Sequence, residues 1–195
     1  GSRFDSESYT YGYSFSKELL EEWHWKERFS GQPENLRYLG YVADKFDLRR
    51  HMRFNCRVEQ MRFDEVHHFW VLSLTSGEEL TARFVITALG LLSIPTPPKI
   101  EGIDSFRGQA FHTFDWPKEP VDLAGKRVGV IGTGATGIQV IAEIADKVGE
   151  LKVFQRRPNW SAPLNNGPIS EEEMGDIRTR YDEIFFLGGG GTDLL

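Results

Sequence analysis

A short apolar strand that runs directly into a Gly-x-Gly-x-x-Gly turn constrains the fold of this chain more than any other feature. The strand occupies residues 126–131, the turn carries Gly132, Gly134 and Gly137, and a helical pattern follows at residues 136–145. The first glycine permits a tight turn, the second lets the backbone approach a pyrophosphate, and the third lets the helix pack on the strand. The sequence therefore predicts a dinucleotide-binding unit with the pyrophosphate at the positive end of the helix.

The second strand of this unit indicates which nucleotide is bound. Residues 150–155 have the pattern of a strand, and Arg156 and Arg157 follow it directly. An NAD-specific site would place a carboxylate about 20 residues beyond the glycines. A guanidinium pairs with a 2′-phosphate that a carboxylate would repel. The pattern favours NADPH over NADH, and the alternative is that both arginines are solvated side chains at a strand end.

Composition and charge exclude several classes of protein. The net charge is −6 and the arginines are spread along the chain, which argues against nucleic acid as a partner. The single cysteine, Cys56, excludes an internal disulfide and suits a reducing compartment. The absence of a stretch of 18 apolar residues or a signal-peptide pattern predicts a soluble, cytoplasmic protein without a membrane partner. His67 and His68 lack a third ligand at a sensible spacing, so no metal site is predicted.

The rest of the chain reads as helices, then strands, then a connector. We expect an irregular loop over residues 1–15 and a helix over residues 16–28 with Ser16 as its cap. A second helix should begin at Pro33. The further expectations are strands at 53–58, 59–64, 69–75 and 80–88 with a turn at Ser76-Gly77, a stiff proline-rich connector at 92–103, and a short helix at 171–186.

One apolar segment indicates that more protein belongs to this fold. Residues 84–90 have the composition of a central strand in a parallel sheet. The parallel neighbours of such a strand should include an earlier strand–helix–strand unit, and nothing before residue 84 has that pattern. We therefore expect the chain to be a piece of a larger protein.

The segment ahead of the glycine motif carries a second pattern. Its residues are Phe106, Gly108, His112, Trp116 and Pro117, in the spacing Phe-x-Gly-x-x-x-His-x-x-x-Trp-Pro. This pattern, placed just before a dinucleotide unit, resembles the fingerprint of type I Baeyer–Villiger monooxygenases. The loop at residues 1–16, the Trp-x-Trp at 23–25, the Gln-Pro-Glu at 32–34 and the stretch at 43–48 are also similar to that family. The resemblance covers residues 1 to about 182.

The resemblance implies an α/β fold that is part of a flavoprotein with two dinucleotide-binding domains. A Rossmann-like NADP unit would accompany the helix pair and β-meander of the FAD domain. The implied division assigns residues 1–105 to the C-terminal part of the first FAD-domain segment and 106–124 to the fingerprint linker. Residues 125–187 would start the NADP-binding Rossmann domain, and 188–195 would be a flexible tail.

The resemblance also implies an activity. Members of the family use NADPH and FAD to insert one atom of O2 next to a ketone carbonyl, giving an ester or lactone through a C4a-peroxyflavin. The glycine motif that holds FAD, the active-site arginine and the substrate half of the family have no counterpart in this sequence. We therefore expect the chain by itself to be inactive and to need the remainder of its parent for a complete FAD site.

Residue roles follow from the same resemblance. Asp5 is the implied catalytic residue, a carboxylate that tunes the electrostatics near nicotinamide and flavin, and Arg3 and Phe4 belong to the same loop. Tyr11 and Val58 are the implied flavin contacts, and His112 and Trp116 would organise the linker. The implied NADP contacts are Gly132, Thr133, Gly134, Ala135, Thr136, Gly137, Ile138, Gln139, Arg156 and, less securely matched, Arg157.

Two other functions remain open at this point. An N- or S-oxygenating flavin monooxygenase would share both cofactors but usually lacks the Trp-Pro ending of the linker pattern. A non-catalytic module that only binds NADPH would share the glycine turn alone.

Overall fold

The structure is a computed structural model that describes residues 2–90 and 92–189. The chain forms two compact units, which we describe separately. The larger unit combines Gly1–Asp47 with Pro120–Leu195, and the smaller unit is Leu48–Glu119.

Residues ahead of position 48 lie in the same compact unit as residues 120 onwards. The division into an FAD-domain segment, a linker and an NADP-binding domain stays a prediction. The boundary between the smaller unit and the nucleotide unit falls at residues 119–120, inside the expected linker at 106–124.

The regular elements in the described chain are five helices and five strands. The helices are α1 (Lys17–Glu22), α2 (Gln32–Lys45), α3 (Ala135–Ile144), α4 (Glu171–Thr179) and α5 (Tyr181–Gly189). The strands are β1 (Val58–Asp64), β2 (Phe69–Leu74), β3 (Glu79–Ala82), β4 (Arg127–Ile131) and β5 (Glu150–Phe154).

The predicted first helix exists but is shorter than expected. Its cap is confirmed, since the Ser16 hydroxyl accepts a hydrogen bond from the Leu19 N–H. The helix ends at Glu22 rather than near residue 28, and Trp23 is extended with ψ at 133°. Trp23 and Trp25 both pack on the same core, and only an extended chain directs residues i and i+2 to one side. The packing of Trp23 and Trp25 on the core therefore outweighs the helical pattern of the residues after Glu22.

The strand–turn–helix–strand unit is confirmed. Strands β4 and β5 pair in parallel from Arg127 opposite Glu150 to Ile131 opposite Phe154, with α3 between them in sequence. A parallel pair needs such a crossover, so the two carboxyl ends lie side by side. This edge, where ligands bind in open α/β sheets, carries the glycine turn and the arginines.

One hydrophobic core joins the N-terminal part of the larger unit to the C-terminal helices. Trp25 lies at its centre with 1% of its surface exposed, and Leu19 and Met174 are fully buried beside it. Buried side chains on both parts of the sequence, before residue 47 and after residue 168, contribute to this cluster: Leu20, Tyr38, Val42, Ile169, Ile177 and Tyr181.

Polar contacts reinforce the junction between these two parts of the sequence. The Arg28 guanidinium donates to both carboxylate oxygens of Glu173 at 2.9 and 3.0 Å. The Ile169 N–H donates to the Lys26 carbonyl at 2.9 Å, and the Arg28 N–H donates to the Gly167 carbonyl at 3.0 Å. The segment between α1 and α2 is thereby fixed against the segment that precedes α4.

The smaller unit contains an antiparallel meander in the order β1–β2–β3. The predicted turn at Ser76-Gly77 is confirmed, with φ at +84° for Gly77. The predicted strand at residues 53–58 is wrong. Asn55 has a φ of +56°, a left-handed conformation that an extended strand cannot accommodate.

The apolar segment at 84–90 is not a strand either, although the sequence predicted one at 80–88. Strand β3 ends at Ala82, and beyond it Ile86 is 91% exposed. A strand exists only through pairing, and none of the described strands lies beside this segment.

The C-terminal part also differs from the prediction of one helix over 171–186. Arg180 leaves the helical region with φ at −112° and ψ at 8°, so α4 and α5 are separate helices. The break lets Tyr181 turn into the core. Helix α5 continues through Gly188 and Gly189, and the remainder of the predicted tail, residues 190–195, lies outside the described residues.

Within the described ranges, none of the helices has both the length and the apolar character needed to cross a bilayer. The same ranges contain no cluster of three His, Cys, Asp or Glu side chains that could hold a metal ion.

The position of Trp25 leads to a stability prediction. Trp25→Ala should lower the free energy of unfolding by about 3–5 kcal/mol, because it leaves a large cavity in the core. Trp160→Ala is the matched control: that side chain is fully exposed, so its loss should change the value by less than about 0.5 kcal/mol. Urea unfolding followed by circular dichroism measures both, and equal losses would contradict this description of the core.

Candidate dinucleotide-binding site

The glycine turn has the geometry that a pyrophosphate cradle requires. Gly132 has a φ of +103°, which strongly favours glycine, and its N–H donates to the Phe154 carbonyl at 2.9 Å. A Cβ at Gly137 would lie 2.5 Å from the Gly132 carbonyl oxygen, so α3 can approach the turn only without a side chain there. A Cβ at Gly134 would meet no described atom within 4 Å apart from its chain neighbours. Open space therefore lies where a phosphate would approach.

The N-terminus of α3 faces this space with free donors. Gly134 is the N-cap residue and no side chain within the described chain caps the helix. Gly134, Ala135 and Thr136 are exposed, whereas Ile138 is half-buried and its N–H closes the first helical bond to the Gly134 carbonyl at 2.9 Å. Unpaired N–H groups at a helix N-terminus, together with the dipole, form an anion site. The residues present fit a dinucleotide pyrophosphate.

Thr133 holds the turn in shape and does not face outwards. Its side chain is buried, and its hydroxyl accepts from the Gln155 Nε2 at 2.9 Å. Its carbonyl accepts from the Asn159 Nδ2 at 2.5 Å. Sequence reasoning gave Gln155 and Asn159 no role, because only the parallel pairing of β4 with β5 brings them beside the turn.

Arg156 and Arg157 follow β5 at the same edge. Both side chains are exposed, and neither forms an ion pair with another described residue. The bond from Gln155 to Thr133 and the contact of the Thr133 hydroxyl with the Arg157 carbonyl, at 3.5 Å, place this segment against the turn. The predicted proximity of the arginines to the glycine turn is therefore seen at the level of the backbone.

Gln139 has a partner that sequence reasoning did not anticipate. Its Oε1 accepts from the Arg3 N–H at 3.1 Å, and its Nε2 donates to the Arg3 carbonyl at 3.0 Å. Both polar atoms of this side chain are thus bonded to the N-terminal segment. The match to the nucleotide-contacting stretch at 133–139 did not indicate this contact.

The Arg3 guanidinium is also occupied. It donates to the Glu27 carboxylate and to the Phe29 carbonyl. Hydrogen bonds from Asn166 and Arg3 hold the pKa of the Glu27 carboxyl below its usual value. The guanidinium of Arg3 therefore stabilises the loop between α1 and α2.

Phe4, which follows Arg3, forms an aromatic surface together with Tyr11. The rings of Phe4 and Tyr11 stack at a centroid distance of 3.7 Å, and both line a pocket of about 250 Å³. Burial raises the pKa of Tyr38, another residue of this pocket, and its hydroxyl accepts from the Tyr13 N–H at 2.8 Å. Asp5 is exposed and forms no hydrogen bond with other described residues. The pocket is also lined by Tyr13, Trp25, Asn35 and Leu39.

The residues of the linker pattern lie in the smaller unit. The His112 Nδ1 accepts from the Phe114 N–H at 3.1 Å and caps a short 3-10 turn. Trp116, which precedes Pro117, packs near Phe111 with ring centroids 5.7 Å apart. These contacts organise the backbone of the segment itself.

Gly108 and Val58 complete the predicted set. A Cβ at Gly108 would come within 2.5 Å of the Phe106 ring, so this glycine lets the ring fold back over the chain. Val58 is the first residue of β1, where it pairs with Leu74. Its proposed contact to a flavin adenine stays a prediction.

Comparison with known proteins assigns the family. The profile of the pyridine nucleotide-disulphide oxidoreductase family matches residues 3–184, and the chain belongs to this family. Cys56 is its single cysteine, so this chain contains no cysteine pair of its own for dithiol chemistry.

The chain is similar to monooxygenases, several of which are named for Baeyer–Villiger or ketone oxidation, as the linker pattern predicted. The chain is 46% identical over 184 residues to an acetone monooxygenase (methyl acetate-forming) of Gordonia sp. (strain TY-5). It is 45% identical over 185 residues to a Baeyer–Villiger monooxygenase of Pseudooceanicola batsensis. It is also 40% identical over 185 residues to a phenazine N-monooxygenase of Lysobacter antibioticus. These matches cover 94–95% of this chain and 34% of each relative, so the chain spans about a third of their length.

A solved structure agrees with the fold. The crystal structure of OTEMO in complex with FAD and NADP superimposes with a TM-score of 0.83 at 50% sequence identity. The match covers 93% of this chain and 35% of that protein. The predicted fold class, a portion of a flavoprotein with two dinucleotide-binding domains, is confirmed.

Two glycines of the turn should respond differently to the same added methyl group. Gly137→Ala should lower the free energy of unfolding by about 1–3 kcal/mol, because the new Cβ meets a backbone oxygen that cannot move away. Gly134→Ala is the control: its φ of −70° suits alanine and the space is open, so stability should stay within about 1 kcal/mol. Denaturant titration of both variants checks this, and a larger loss for Gly134→Ala would contradict the described turn.

Proposed function

We propose that the full-length protein is an NADPH- and FAD-dependent monooxygenase that converts a ketone and O2 to an ester or lactone. The observation that carries the nucleotide part is the open glycine turn at the α3 N-terminus, with two exposed arginines beside it that form no ion pair within the described residues. The ketone part is supported by the linker pattern and by relatives named for ketone and Baeyer–Villiger oxidation.

In this proposal each part of the turn has one task. The free N–H groups of α3 bind the pyrophosphate, and the absence of a side chain at Gly134 leaves the space that the pyrophosphate occupies. Gln155 and Asn159 keep the turn in shape through Thr133. Arg156 and Arg157 bind the 2′-phosphate, because exposed guanidiniums can form charge-assisted hydrogen bonds with it.

In this proposal the flavin lies near the aromatic pocket and the residues beside it. When bound, NADPH supplies a hydride and the flavin supplies the reaction with O2. The exposed Asp5 carboxylate contributes a negative charge near the reacting ring, while Phe4 and Tyr11 provide a flat apolar surface for it. Val58 contributes a backbone contact to the adenine.

The linker residues have a supporting role. His112 and Trp116 shape the backbone of the segment that precedes the nucleotide unit, through the His112 cap and the Phe111–Trp116 contact. They do not exchange protons with a substrate in this proposal. We propose a cytoplasmic location because a single cysteine suits a reducing compartment.

The second candidate is an N-oxygenating flavin monooxygenase. The observation that favours it is the 40% identity to the phenazine N-monooxygenase, which is not far below the values for the ketone-oxidising relatives. Both candidates share the same cofactors, so only the oxidised product separates them.

Product analysis is the direct test of the proposed reaction. The full-length protein, supplied with FAD and NADPH, should consume NADPH faster in the presence of a cyclic ketone and form one lactone per NADPH. An aromatic N-heterocycle and a primary amine serve as competing substrates, and gas chromatography with mass spectrometry identifies the products. Formation of N-oxides with no lactone would reject the ketone reaction in favour of the second candidate.

The arginines should determine the choice of coenzyme. The double variant Arg156→Ala/Arg157→Ala should lose at least about 10- to 100-fold of the preference for NADPH over NADH, since the loss of even one charged hydrogen bond costs about 1.5–3 kcal/mol. Arg127→Ala is the matched control, because this arginine lies at the opposite end of the same two-stranded sheet. Isothermal calorimetry with both coenzymes gives the ratio, and an unchanged ratio in the double variant would remove the 2′-phosphate assignment.

A further inference from the structure

The side chain of Gln139 connects two segments that are far apart in sequence. It both accepts from the N–H and donates to the carbonyl of Arg3, across 136 residues. An amide is the neutral side-chain group that offers a donor and an acceptor side by side in this way. Among the hydrogen bonds of the described chain, these two join α3 to the segment at residues 2–5.

The same segment is held independently on its other side. The Phe4 N–H donates to the Ser30 carbonyl at 2.9 Å, and the Gln32 N–H donates to the Ser2 carbonyl at 2.9 Å. An isolated antiparallel bridge pairs Arg3 with Gly31. None of these bonds involves α3, so loss of the Gln139 amide would detach the segment from α3 and leave its pairing with residues 30–32 in place.

Helix α3 begins at the glycine turn, and Gln139 lies about one helical turn beyond Ala135. A helix is rigid over this distance. The Arg3 peptide is therefore held at a fixed position relative to the donors at the α3 N-terminus. Asp5 lies two residues after Arg3 in the chain. The ring of Phe4, the residue between them, is fixed by stacking on Tyr11.

We infer that Gln139 is a positioning residue that fixes the segment carrying Phe4 and Asp5 against the helix that binds the pyrophosphate. It sets the distance between the Asp5 carboxylate and the bound dinucleotide and does not itself contact the cofactor. The inference rests on the proposed function, because it requires NADPH at the glycine turn. In this inference Gln139 contacts the protein backbone, and not the nucleotide as the family resemblance implied.

The test compares two substitutions on the same helix in the full-length protein. Gln139→Met keeps the length of the side chain but removes both the donor and the acceptor. Glu143→Gln is the control, since Glu143 lies one turn further along α3, is exposed and pairs with Lys147. Hydrogen exchange in peptides from α4 shows whether each variant has kept its core.

The first readout is structural and needs no catalysis. Exchange of the Arg3 amide, followed in the peptide that covers residues 2–5, should be about tenfold faster in Gln139→Met, because that N–H loses its acceptor. It should be unchanged in Glu143→Gln. The Kd for NADPH, measured by calorimetry, should stay within about threefold in both variants, since neither side chain contacts the coenzyme in this account.

The second readout is the rate of flavin reduction by saturating NADPH in stopped flow. It should fall about tenfold or more in Gln139→Met and stay unchanged in the control, because small displacements of positioned groups have large effects on rates.

Unchanged exchange at residues 2–5 in Gln139→Met would overturn the inference. A large loss of NADPH affinity in that variant would also overturn it, because Gln139 would then be a direct contact. If the unsubstituted protein bound no NADPH, the proposed function itself would fail, a result distinct from the other two.

Discussion

The burial of Trp25 between two distant parts of the sequence is the constraint on which the larger unit depends. Its ring packs with Tyr38 from α2 at a centroid distance of 4.9 Å, and Met174 from α4 lies in the same cluster. The bidentate pair between Arg28 and Glu173 closes the junction at its surface. This junction fixes the N-terminal segment against the C-terminal helices, and the Gln139 amide adds a separate contact from the N-terminal segment to α3.

The candidate site is built from backbone geometry more than from reactive side chains. The turn offers space at Gly134, N–H donors from α3 and two exposed guanidiniums, none of which is chemically reactive. Such a site binds and orients a group that performs the chemistry itself. In our proposal the protein's contribution is the placement of that group relative to the aromatic pocket and Asp5, and the contact of the Gln139 amide with Arg3 sets this placement.

Sequence patterns succeeded where the structure is local and failed where long-range packing decides. The turn and the Ser16 cap depend on a few neighbouring residues, and the parallel order of β4 and β5 follows from the short crossover through α3; all were predicted. The length of α1 was wrong because Trp23 and Trp25 must both enter the core. The strand at 53–58 was wrong because its apolar pattern gave no sign of the left-handed Asn55.

The sequence by itself determined the chemical class of the site, since glycine spacing and the arginines after β5 specify a phosphate cradle with positive charge. Only the tertiary structure decided which side chains support that cradle. Gln155 and Asn159 reach Thr133 because two strands pair in parallel, and Gln139 reaches Arg3 because the fold places α3 beside the N-terminal segment. Hydrogen-bond partners of this kind are set by distances in space, and a single sequence records only distances along the chain.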